Sequence, residues 1–384
     1  MKTAVNIQPL MDGERTGIGY YADGILRALT SDNPADAFRL DYFAFDYTPE
    51  RLSLAQAYAR ERKNVRLKPN RLLTGTLSKL LWAALPLPYS FFFGKDCEAS
   101  LFFNYLLPPR ISGRVLLTVC DTVICDCPDT MRRLTRYSLT ARLEKSIKRA
   151  DVIVTISEFS KERIMHNFGV SERRIVVAPP GVDRSHFHPV KEREALNAAA
   201  ERYGISGRYI LYLGTLEPRK NLLRLINAYA LLKRKHGVTQ SLVIAGRKGW
   251  QYADILSQAE RTGVREHVIF TGYARYDDLP ALISGADVFA FVSLYEGFGM
   301  PVLEAMACDV PVLTSDNTAL SELAGGAALT VNPMSVSDIA AGLYKLLSDK
   351  RCAESYRALG QKRAGEFTWK DSAEKIRAAM GQKG

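Results

Sequence analysis

Short runs rich in Val, Ile and Leu recur along nearly the whole chain and are separated by longer segments of helical periodicity. The first half contains TAVNI, FRLDYFAF, ASLFFN, VLLTVC, DVIVTI and RIVVAP; the second contains RYILYLG, QSLVIAG, HVIFTG, DVFAFVS and VPVLTS. Apolar runs that do not alternate with polar residues are typical of parallel strands buried on both faces. Because the strand-helix alternation occurs twice, the sequence predicts two doubly wound, Rossmann-like α/β domains.

The boundary between the two predicted domains lies in a polar, alanine-rich stretch at 186–209, which has no strand pattern. We predict an N-terminal domain over 1–190, a C-terminal domain over 191–370 and a last helix over 371–384. A chain of 384 residues suits two domains of ~150–200 residues each. Ligands of such sheets bind beyond the carboxyl ends of the strands, so a cleft between two facing domains is the expected site.

Composition narrows the classes of partner. The chain has 52 Lys and Arg against 41 Asp and Glu, a net charge of +11, which suggests a phosphate-bearing ligand, an acidic lipid or nucleic acid, or else a generally basic surface. No clustered basic and aromatic readout motif is present, so nucleic acid is disfavoured. The six cysteines do not indicate a disulfide scaffold, and Cys120, Cys125 and Cys127 lack zinc-ligand spacing. We therefore expect reduced thiols and no metal.

Neither a signal peptide nor a membrane span is expected. Met1 leads directly into the first strand pattern. The most apolar run, 80–93, contains two prolines, and it is shorter than the ~20 residues that a spanning helix needs. These features predict a cytoplasmic protein.

The segment YEGFGMPVLEAMA places two glutamates around a glycine turn. Glu296 follows a buried strand pattern, and Glu304 lies in the helix that comes next. Gly297 and Gly299 would let a ligand approach the backbone near the helix N-terminus. The carboxylates are ~12 Å apart along a helix, too far for a glycosidase pair but suited to two sets of hydroxyls on one ligand. The alternative is one surface glutamate and one helix-cap glutamate.

Each predicted domain also has a polar or glycine-rich segment after its first strand. Arg219 and Lys220 stand at the start of a helix, where two cations beside free amides form an anion site suited to a diphosphate. A solvated basic turn is the alternative. Gly17 and Gly19 form G-x-G only, without the third glycine of the dinucleotide fingerprint, and permit close approach of a phosphate or sugar.

In combination, these segments resemble the retaining family 4 glycosyltransferases over nearly the whole chain. The resemblance rests on Gly17-Ile18-Gly19, TISEFSKE (155–162), GTLEPRKN (214–221) and Glu296-x7-Glu304. It implies the GT-B fold and transfer of a sugar from a nucleotide-sugar with retention at the anomeric carbon, without a metal or other cofactor. It also implies that the last helix crosses back to the first domain.

The resemblance assigns roles to the matching residues. Arg219 and Lys220 would hold the diphosphate and stabilise the leaving group, and Glu304 would bind the ribose. The Gly17–Gly19 loop would face the donor phosphates or the acceptor. Donor-sugar hydroxyls would be bound by Glu296 together with the amides of Gly297, Phe298, Gly299 and Met300.

The chain departs from the family pattern at Cys120-Asp121, where many relatives have a histidine before the aspartate. A cysteine cannot supply the contact that an imidazole makes with the sugar. Asp121 either takes over that role or caps the strand end. No catalytic base is assigned.

Similarity to mannosyltransferases with strings like GTLEPRKN suggests mannose from GDP-mannose as the donor and surface polysaccharide synthesis as the process. A nucleotide-sugar 2-epimerase on the same fold is the first alternative, disfavoured by the Glu296/Glu304 pairing with EPRKN. A basic nucleic-acid-binding protein is the second.

Two segments of the first domain suggest a membrane surface. Residues 131–150 have seven Arg or Lys against one Glu, with leucines at helical spacing, and 71–93 mixes cations with Trp82 and three phenylalanines. Together they predict peripheral docking on the anionic inner face of the plasma membrane and a glycan or polyprenyl-diphosphate-linked acceptor. The alternative is a core helix with a solvated basic face and a buried apolar loop.

Overall fold

The computed structural model describes residues 1–10, 16–31, 36–46, 49–85, 87–128 and 133–381. The chain forms two compact units, one comprising Met1–Gly181 with Trp369–Gly384 and the other Val182–Thr368. Residues 182–190, which the sequence analysis placed in the first domain, belong to the second unit. They contact that unit directly: His186 stacks on Tyr276, and the Val190 amide donates to Ser284 Oγ at 3.1 Å.

The first unit contains a seven-stranded parallel sheet with the strand order β3-β2-β1-β4-β5-β6-β7. Neighbouring strands are in parallel register, for example Val5 opposite Leu40. The chain proceeds outward from β1 to β3 and then returns to place β4 beside β1, so the order reverses between β1 and β4. The strands are β1 (Lys2–Asn6), β2 (Ala37–Phe43), β3 (Val65–Asn70), β4 (Ala99–Phe102), β5 (Arg114–Thr118), β6 (Val152–Thr155) and β7 (Ile175–Val177).

Helices of the first unit lie between these strands. Ser157 caps α7, since its Oγ accepts from the Ser160 amide at 3.0 Å, and Gly169 ends it in the left-handed conformation, which confirms both predicted ends. The helices are α1 (Gly17–Ser31), α2 (Pro49–Glu61), α3 (Gly75–Ala84), α4 (Tyr89–Phe93), α5 (Val123–Asp126), α6 (Arg133–Arg149) and α7 (Glu158–Phe168).

The second unit contains a six-stranded parallel sheet with the order β10-β9-β8-β11-β12-β13, which reverses between β8 and β11. Its strands are β8 (Tyr209–Leu213), β9 (Ser241–Ala245), β10 (Val268–Gly272), β11 (Val288–Phe291), β12 (Val312–Ser315) and β13 (Leu329–Val331). Its helices are α8 (Arg193–Arg202), α9 (Leu222–His236), α10 (Tyr252–Arg261), α11 (Leu279–Ser284), α12 (Met300–Ala307), α13 (Thr318–Ala324), α14 (Val336–Ser348) and α15 (Lys350–Ala364).

The prediction of two doubly wound parallel-sheet units is confirmed, but it missed β3 and β13. Both are edge strands. In β3 the exposed Arg66 and Lys68 interrupt the apolar pattern, and Pro69 is tolerated because an edge strand needs fewer ladder donors. β13 has three residues, one of them the exposed Thr330. Neither strand forms the continuous apolar run that marks a buried strand.

The last helix, α16 (Trp369–Gly381), packs on α1 within the first unit. The Trp369 ring lies so close to Gly24 that a Cβ there would be 2.4 Å from it. Ser372 Oγ donates to the Pro179 carbonyl at 2.5 Å, and Arg377 Nη2 donates to the Leu29 carbonyl at 3.0 Å. These contacts join α16 to α1 and to the segment that follows β7.

The two segments proposed for the membrane differ in burial. On α6, Leu143 and Ile147 are buried while Arg142, Lys145 and Lys148 are exposed, so the helix is amphipathic and basic as predicted. Residues 131 and 132 and the side chains of 133–138 lie outside the described part. The run 80–93 supplies buried core side chains, such as Phe93, and the strongly exposed Leu85 and Phe91. No described helix has the length and hydropathy that a bilayer span requires.

Candidate active site

The order of the second sheet reverses between β8 and β11, and the two loops that follow these strands bring three charged side chains together. Lys220 Nζ lies 2.6 Å from Glu296 Oε1, and Arg219 Nη1 lies 2.8 Å from Glu296 Oε2. The same Arg219 nitrogen donates to the Tyr295 carbonyl at 2.8 Å, while Nη2 donates to Glu217 Oε1 at 2.8 Å. Three predicted site residues, from two separate motifs, thus form one cluster at the carboxyl edge of the sheet.

Because the cluster is buried, its three charged groups strongly affect one another's pKa values. Glu296 is 7% exposed. Burial alone would raise the pKa of its carboxyl, but attraction from Arg219 and Lys220 outweighs burial and lowers the pKa to about 2. Burial, with repulsion from Arg219, lowers the pKa of Lys220 below its ordinary value. Glu296 is therefore ionised at neutral pH and holds two cations close to each other.

Asn221 is a site residue that the sequence analysis missed. It has φ 62°, in the left-handed region that asparagine tolerates better than other non-glycine residues. Its Nδ2 donates to the carbonyls of Val292 at 2.9 Å and Pro333 at 2.7 Å, so it ties the loop after β8 to the end of β11. The only signal in the sequence was an asparagine at the helix start after Arg219-Lys220.

The glycine turn between Glu296 and α12 is closely packed. Gly299 has φ 110°, and a Cβ at this position would lie 2.6 Å from Leu320 Cδ2, so both conformation and space require glycine. Phe298 packs its ring edge-on against Phe367, which leaves only its backbone for a ligand. Gly297 precedes it, and Met300 begins α12.

Glu304 lies on α12, and no hydrogen bond joins its carboxylate to any residue in the described ranges. Burial raises its pKa to about 7. It therefore contrasts with Glu296, whose negative charge is matched by two cations. A half-buried carboxylate that no described residue bonds can accept hydrogen bonds from ligand hydroxyls.

The other predicted site residues, Gly17, Gly19 and Asp121, belong to the first unit. Gly17 begins α1 and is exposed, and a Cβ there would meet nothing within 4 Å; Gly19 is buried. The preceding loop residues 11–15 lie outside the described part. Asp121 Oδ1 accepts from the Val123 amide at 3.2 Å, in the loop that follows β5. Burial raises the pKa of the neighbouring Cys120 thiol.

Within the described ranges, no group of three or more His, Cys, Asp or Glu side chains comes together as a metal site. None of Cys120, Cys125 and Cys127, all within the described ranges, forms a disulfide bond.

Comparison with known families decides the identity of the chain. The model for glycosyl transferases group 1 matches residues 200–364, and the model for glycosyltransferase family 4 matches residues 126–186. The O-antigen chain mannosyltransferase B of Escherichia coli is 36% identical over 270 residues, which is 70% of this chain and 70% of that protein. This chain is a family 4 glycosyltransferase.

One further relative and one solved structure are similar to this glycosyltransferase. The GDP-mannose-dependent alpha-(1-6)-phosphatidylinositol monomannoside mannosyltransferase of Mycolicibacterium smegmatis is 34% identical over 223 residues, 55% of this chain and 57% of that protein. The crystal structure of WaaG, a glycosyltransferase involved in lipopolysaccharide biosynthesis, covers 100% of both chains at 16% identity with a TM-score of 0.72. The family and the GT-B fold that the motifs predicted are thereby confirmed.

Proposed function

We propose that this glycosyltransferase transfers mannose from GDP-mannose to a glycan or lipid-linked sugar acceptor during synthesis of a bacterial surface polysaccharide. The observation that carries the proposal is the cluster of Arg219, Lys220 and Glu296 at the point where the order of the second sheet reverses. Its chemistry suits a nucleotide-sugar, which presents hydroxyls and a diphosphate together. Mannose and GDP are proposed because the Escherichia coli and Mycolicibacterium smegmatis relatives named above are mannosyltransferases, and the second is named as GDP-mannose-dependent.

Each part of the cluster has a role in the proposed reaction. The sugar hydroxyls donate to Glu296, which is ionised, and the ribose hydroxyls donate to Glu304. Arg219 and Lys220 contact the diphosphate. When the bond to the anomeric carbon breaks, negative charge develops on the departing diphosphate oxygen, and the two cations stabilise it at the moment when it forms.

Glu296 also prepares the cations for this role. Without an anion beside them, two positive side chains buried at one loop would repel each other and lose hydration. The carboxylate compensates both costs in the free protein, so the cations stay in place before the donor arrives. Such preorganisation is the main source of electrostatic catalysis.

For the transfer step we propose retention at the anomeric carbon, with the departing phosphate accepting the acceptor's proton on the same face. The proposal requires no side chain as a base, and its metal independence follows from the cations' role at the diphosphate. Asp121 is kept as a candidate contact to the sugar, although its Oδ1 already accepts from a backbone amide.

An anionic membrane surface is the proposed location of the acceptor. The first unit exposes large apolar side chains at Leu72, Leu77, Leu85 and Phe91, close together in the chain. Exposed cations on α6 add attraction to anionic lipid, at ~1 kcal/mol for each one near the surface. Apolar insertion combined with basic charge is the usual basis of peripheral membrane binding.

A panel of nucleotide-sugars tests the proposal. GDP-mannose and GDP should raise the melting temperature, because a ligand that binds only the folded state stabilises it. Transfer of labelled mannose to membrane extracts, followed by NMR of the product's anomeric carbon, should show retained configuration, and a chelator should not slow it. A larger shift with a uridine donor would reject GDP-mannose, and an inverted product would reject the mechanism. Epimerised donor without transfer would favour the epimerase instead.

A further inference from the structure

The first sheet also has a reversal point, and a cavity of about 350 Å³ opens beside it. Asn6 ends β1 and Gln8 follows it, Phe102 ends β4 and Asn104 follows it, and all four line the cavity. Ligands of open α/β sheets bind at this point, outside the carboxyl ends of the strands on either side of the reversal. The position alone therefore makes the cavity a candidate binding site.

Two wall side chains have buried polar atoms without a partner. Gln8 Oε1 and Trp82 Nε1 are both buried, and neither forms a hydrogen bond within the described part of the chain. A buried acceptor or donor left unpaired costs ~1–3 kcal/mol, so such atoms are uncommon unless a ligand or water satisfies them. The cavity is the open space that both side chains border.

The orientation of Gln8 is fixed by a neighbouring carboxylate. Gln8 Nε2 donates to Asp46 Oδ2 at 2.8 Å, and the Gly75 amide donates to the same oxygen at 2.8 Å. Since a carboxylate only accepts, the amide nitrogen of Gln8 must face Asp46, which leaves Oε1 as the unpaired atom. A Cβ at Gly75 would lie 2.3 Å from Asp46 Oδ2, so glycine is needed for this arrangement.

Trp82 is fixed by aromatic packing. Its ring lies 6.0 Å from the ring of Phe43 and 5.8 Å from that of Phe92, edge to face in both pairs. These contacts hold the indole against the apolar wall. Together, Gln8 and Trp82 offer a hydrogen-bond acceptor, a hydrogen-bond donor and an apolar surface, a combination that fits a sugar ring with hydroxyls.

Cations of α6 form another part of the wall. Arg142 and Lys145 are exposed, stand one turn apart and have no ion pair within the described ranges. By contrast, Lys148, farther along the helix, pairs with Glu144, and Arg149 donates to the carbonyls of Leu107 and Pro108. Two unpaired cations at the edge of a cavity favour an anion, and a guanidinium with an ammonium suits a phosphate.

We propose that this cavity is an acceptor subsite for a sugar phosphate, with the phosphate on Arg142 and Lys145 and the sugar hydroxyls directed to Gln8 and Trp82. The inference rests on the proposed function, because an acceptor is needed only if the protein transfers a sugar. A sugar phosphate occurs free in solution or joined to a lipid through its phosphate. Phospholipid headgroups also carry a phosphate, so the experiment must distinguish them from sugar phosphates.

Calorimetry with soluble probes tests the assignment. Mannose 1-phosphate and glucose 1-phosphate are the sugar phosphates; methyl mannoside, inorganic phosphate and dihexanoylphosphatidylglycerol are the comparisons. We expect a sugar phosphate to bind more tightly than methyl mannoside or inorganic phosphate. Arg142→Ser with Lys145→Ser should weaken it at least tenfold, since bonds to charged groups each contribute roughly that factor. Gln8→Leu and Trp82→Phe should each weaken it severalfold, because the first removes the carboxamide and the second removes the indole Nε1, while both keep an apolar side chain in the wall.

The matched control is Lys63→Ser with Arg173→Ser, which removes the same two residue types from exposed positions outside the cavity. It should change affinity by less than twofold. Equal losses in the two double variants would overturn the proposal, as would inorganic phosphate or the neutral sugar binding as tightly as the sugar phosphate. Binding of phosphatidylglycerol without binding of either sugar phosphate would identify a lipid headgroup site instead.

GDP binding separates this proposal from the proposed function. Every cavity variant should bind GDP as the parent does, because the donor cluster lies in the other unit. If the parent transfers from no nucleotide-sugar, the proposed function is wrong. If the parent transfers mannose but the cavity variants bind sugar phosphate normally, only the cavity assignment is wrong. For the lipid-linked source, transfer to a membrane extract should fall in the Arg142/Lys145 variant and not in its control.

Discussion

The two parallel sheets reverse their strand order in the same way but present opposite chemistry at that point. In the second unit the loops after β8 and β11 place two cations on one carboxylate, so the charges are satisfied within the protein. In the first unit the loops after β1 and β4 border a cavity whose wall has polar atoms and, on α6, cations that no described residue pairs. The fold provides the position, and the few residues after each strand decide what binds there.

The largest expected effect comes from removing the cations of the second unit. Arg219→Ala with Lys220→Ala should lower the transfer rate by ~10³-fold or more, since a single donor to a developing charge contributes ~10²–10³-fold. The variant should also melt at a lower temperature, because Glu296 would remain buried and ionised without a partner. Transfer assays and thermal unfolding measure the two losses.

Adding Glu296→Gln to that double variant separates stability from catalysis. The triple variant no longer buries the Glu296 carboxylate without its two cations, so its melting temperature should recover while the transfer rate stays low. Transfer at the parental rate in the double variant would remove the cations from the mechanism.

Glu304 provides the second test, since no residue in the described part of the chain forms a hydrogen bond with its carboxylate. Glu304→Ala should weaken GDP binding by roughly ten- to a hundredfold, as expected for lost bonds between hydroxyls and a charged group. Calorimetry with GDP and with guanine-free ribose 5-phosphate would locate the loss at the ribose. Unchanged GDP affinity in a folded variant would contradict the ribose assignment.

The raised pKa of Glu304 predicts that GDP affinity and folding stability change in opposite directions with pH. Burial raises the pKa of Glu304 from its ordinary value of 4.5 to about 7 in the folded state, so the folded state holds the proton more tightly. Its contribution to stability is therefore fully present below pH 4.5 and is lost as pH rises to 7. GDP affinity should change the other way, rising about tenfold between pH 6 and 8 as the carboxylate ionises.

Glu304→Gln should abolish both trends, as measured by GDP calorimetry and urea unfolding across this range. If the variant follows the parental pH profile, another group is responsible. Glu296 serves as the internal contrast: its pKa of about 2 keeps it ionised throughout, so it adds no slope between pH 6 and 8.

Membrane binding should depend on the first unit alone. Leu85→Ser with Phe91→Ser should reduce flotation with anionic liposomes severalfold, because burying each side chain contributes ~1.5–3 kcal/mol at full burial and less in an interface. High salt should also reduce flotation. The matched control is Leu359→Ser with Tyr273→Ser, which removes an exposed leucine and an exposed aromatic from the second unit. Equal losses in both variants, or no flotation of the parent, would exclude this surface.

Sequence patterns predicted the parts of the fold whose residues carry a strong local signal. Buried strands such as 288–291 are continuous apolar runs, and the ends of α7 are marked by Ser157 and Gly169. The edge strands β3 and β13 were missed because half-exposed strands lose that run. The boundary shifted because His186 stacks on Tyr276, a contact between residues far apart in sequence.

The candidate sites likewise include residues that the sequence predicted and features that it did not. Arg219, Lys220 and Glu296 were recognisable by residue type and by their place after a strand, but nothing in the sequence shows that they pair with one another. The cavity of the first unit was not predictable, because its wall combines segments from Asn6 to Arg149 whose proximity depends on the tertiary fold. Asn221 was missed because one asparagine at a helix start has several ordinary explanations.

Asn221 therefore gives the last and smallest test, on the rigidity of the second unit's site. Asn221→Gly keeps a residue that tolerates φ 62° but removes the bonds to the Val292 and Pro333 carbonyls, whereas Asn221→Ala also forces alanine into the left-handed region. We expect both to unfold at lower urea concentration than the parent, with alanine worse by ~1 kcal/mol for the backbone strain. GDP should bind more weakly to both, because the loop bearing Arg219 and Lys220 would no longer be tied to β11. If both variants are as stable as the parent and bind GDP equally well, the bonds of Asn221 are not needed to hold the donor loop, and the contacts of Arg219 and Lys220 with Tyr295 and Glu296 are sufficient.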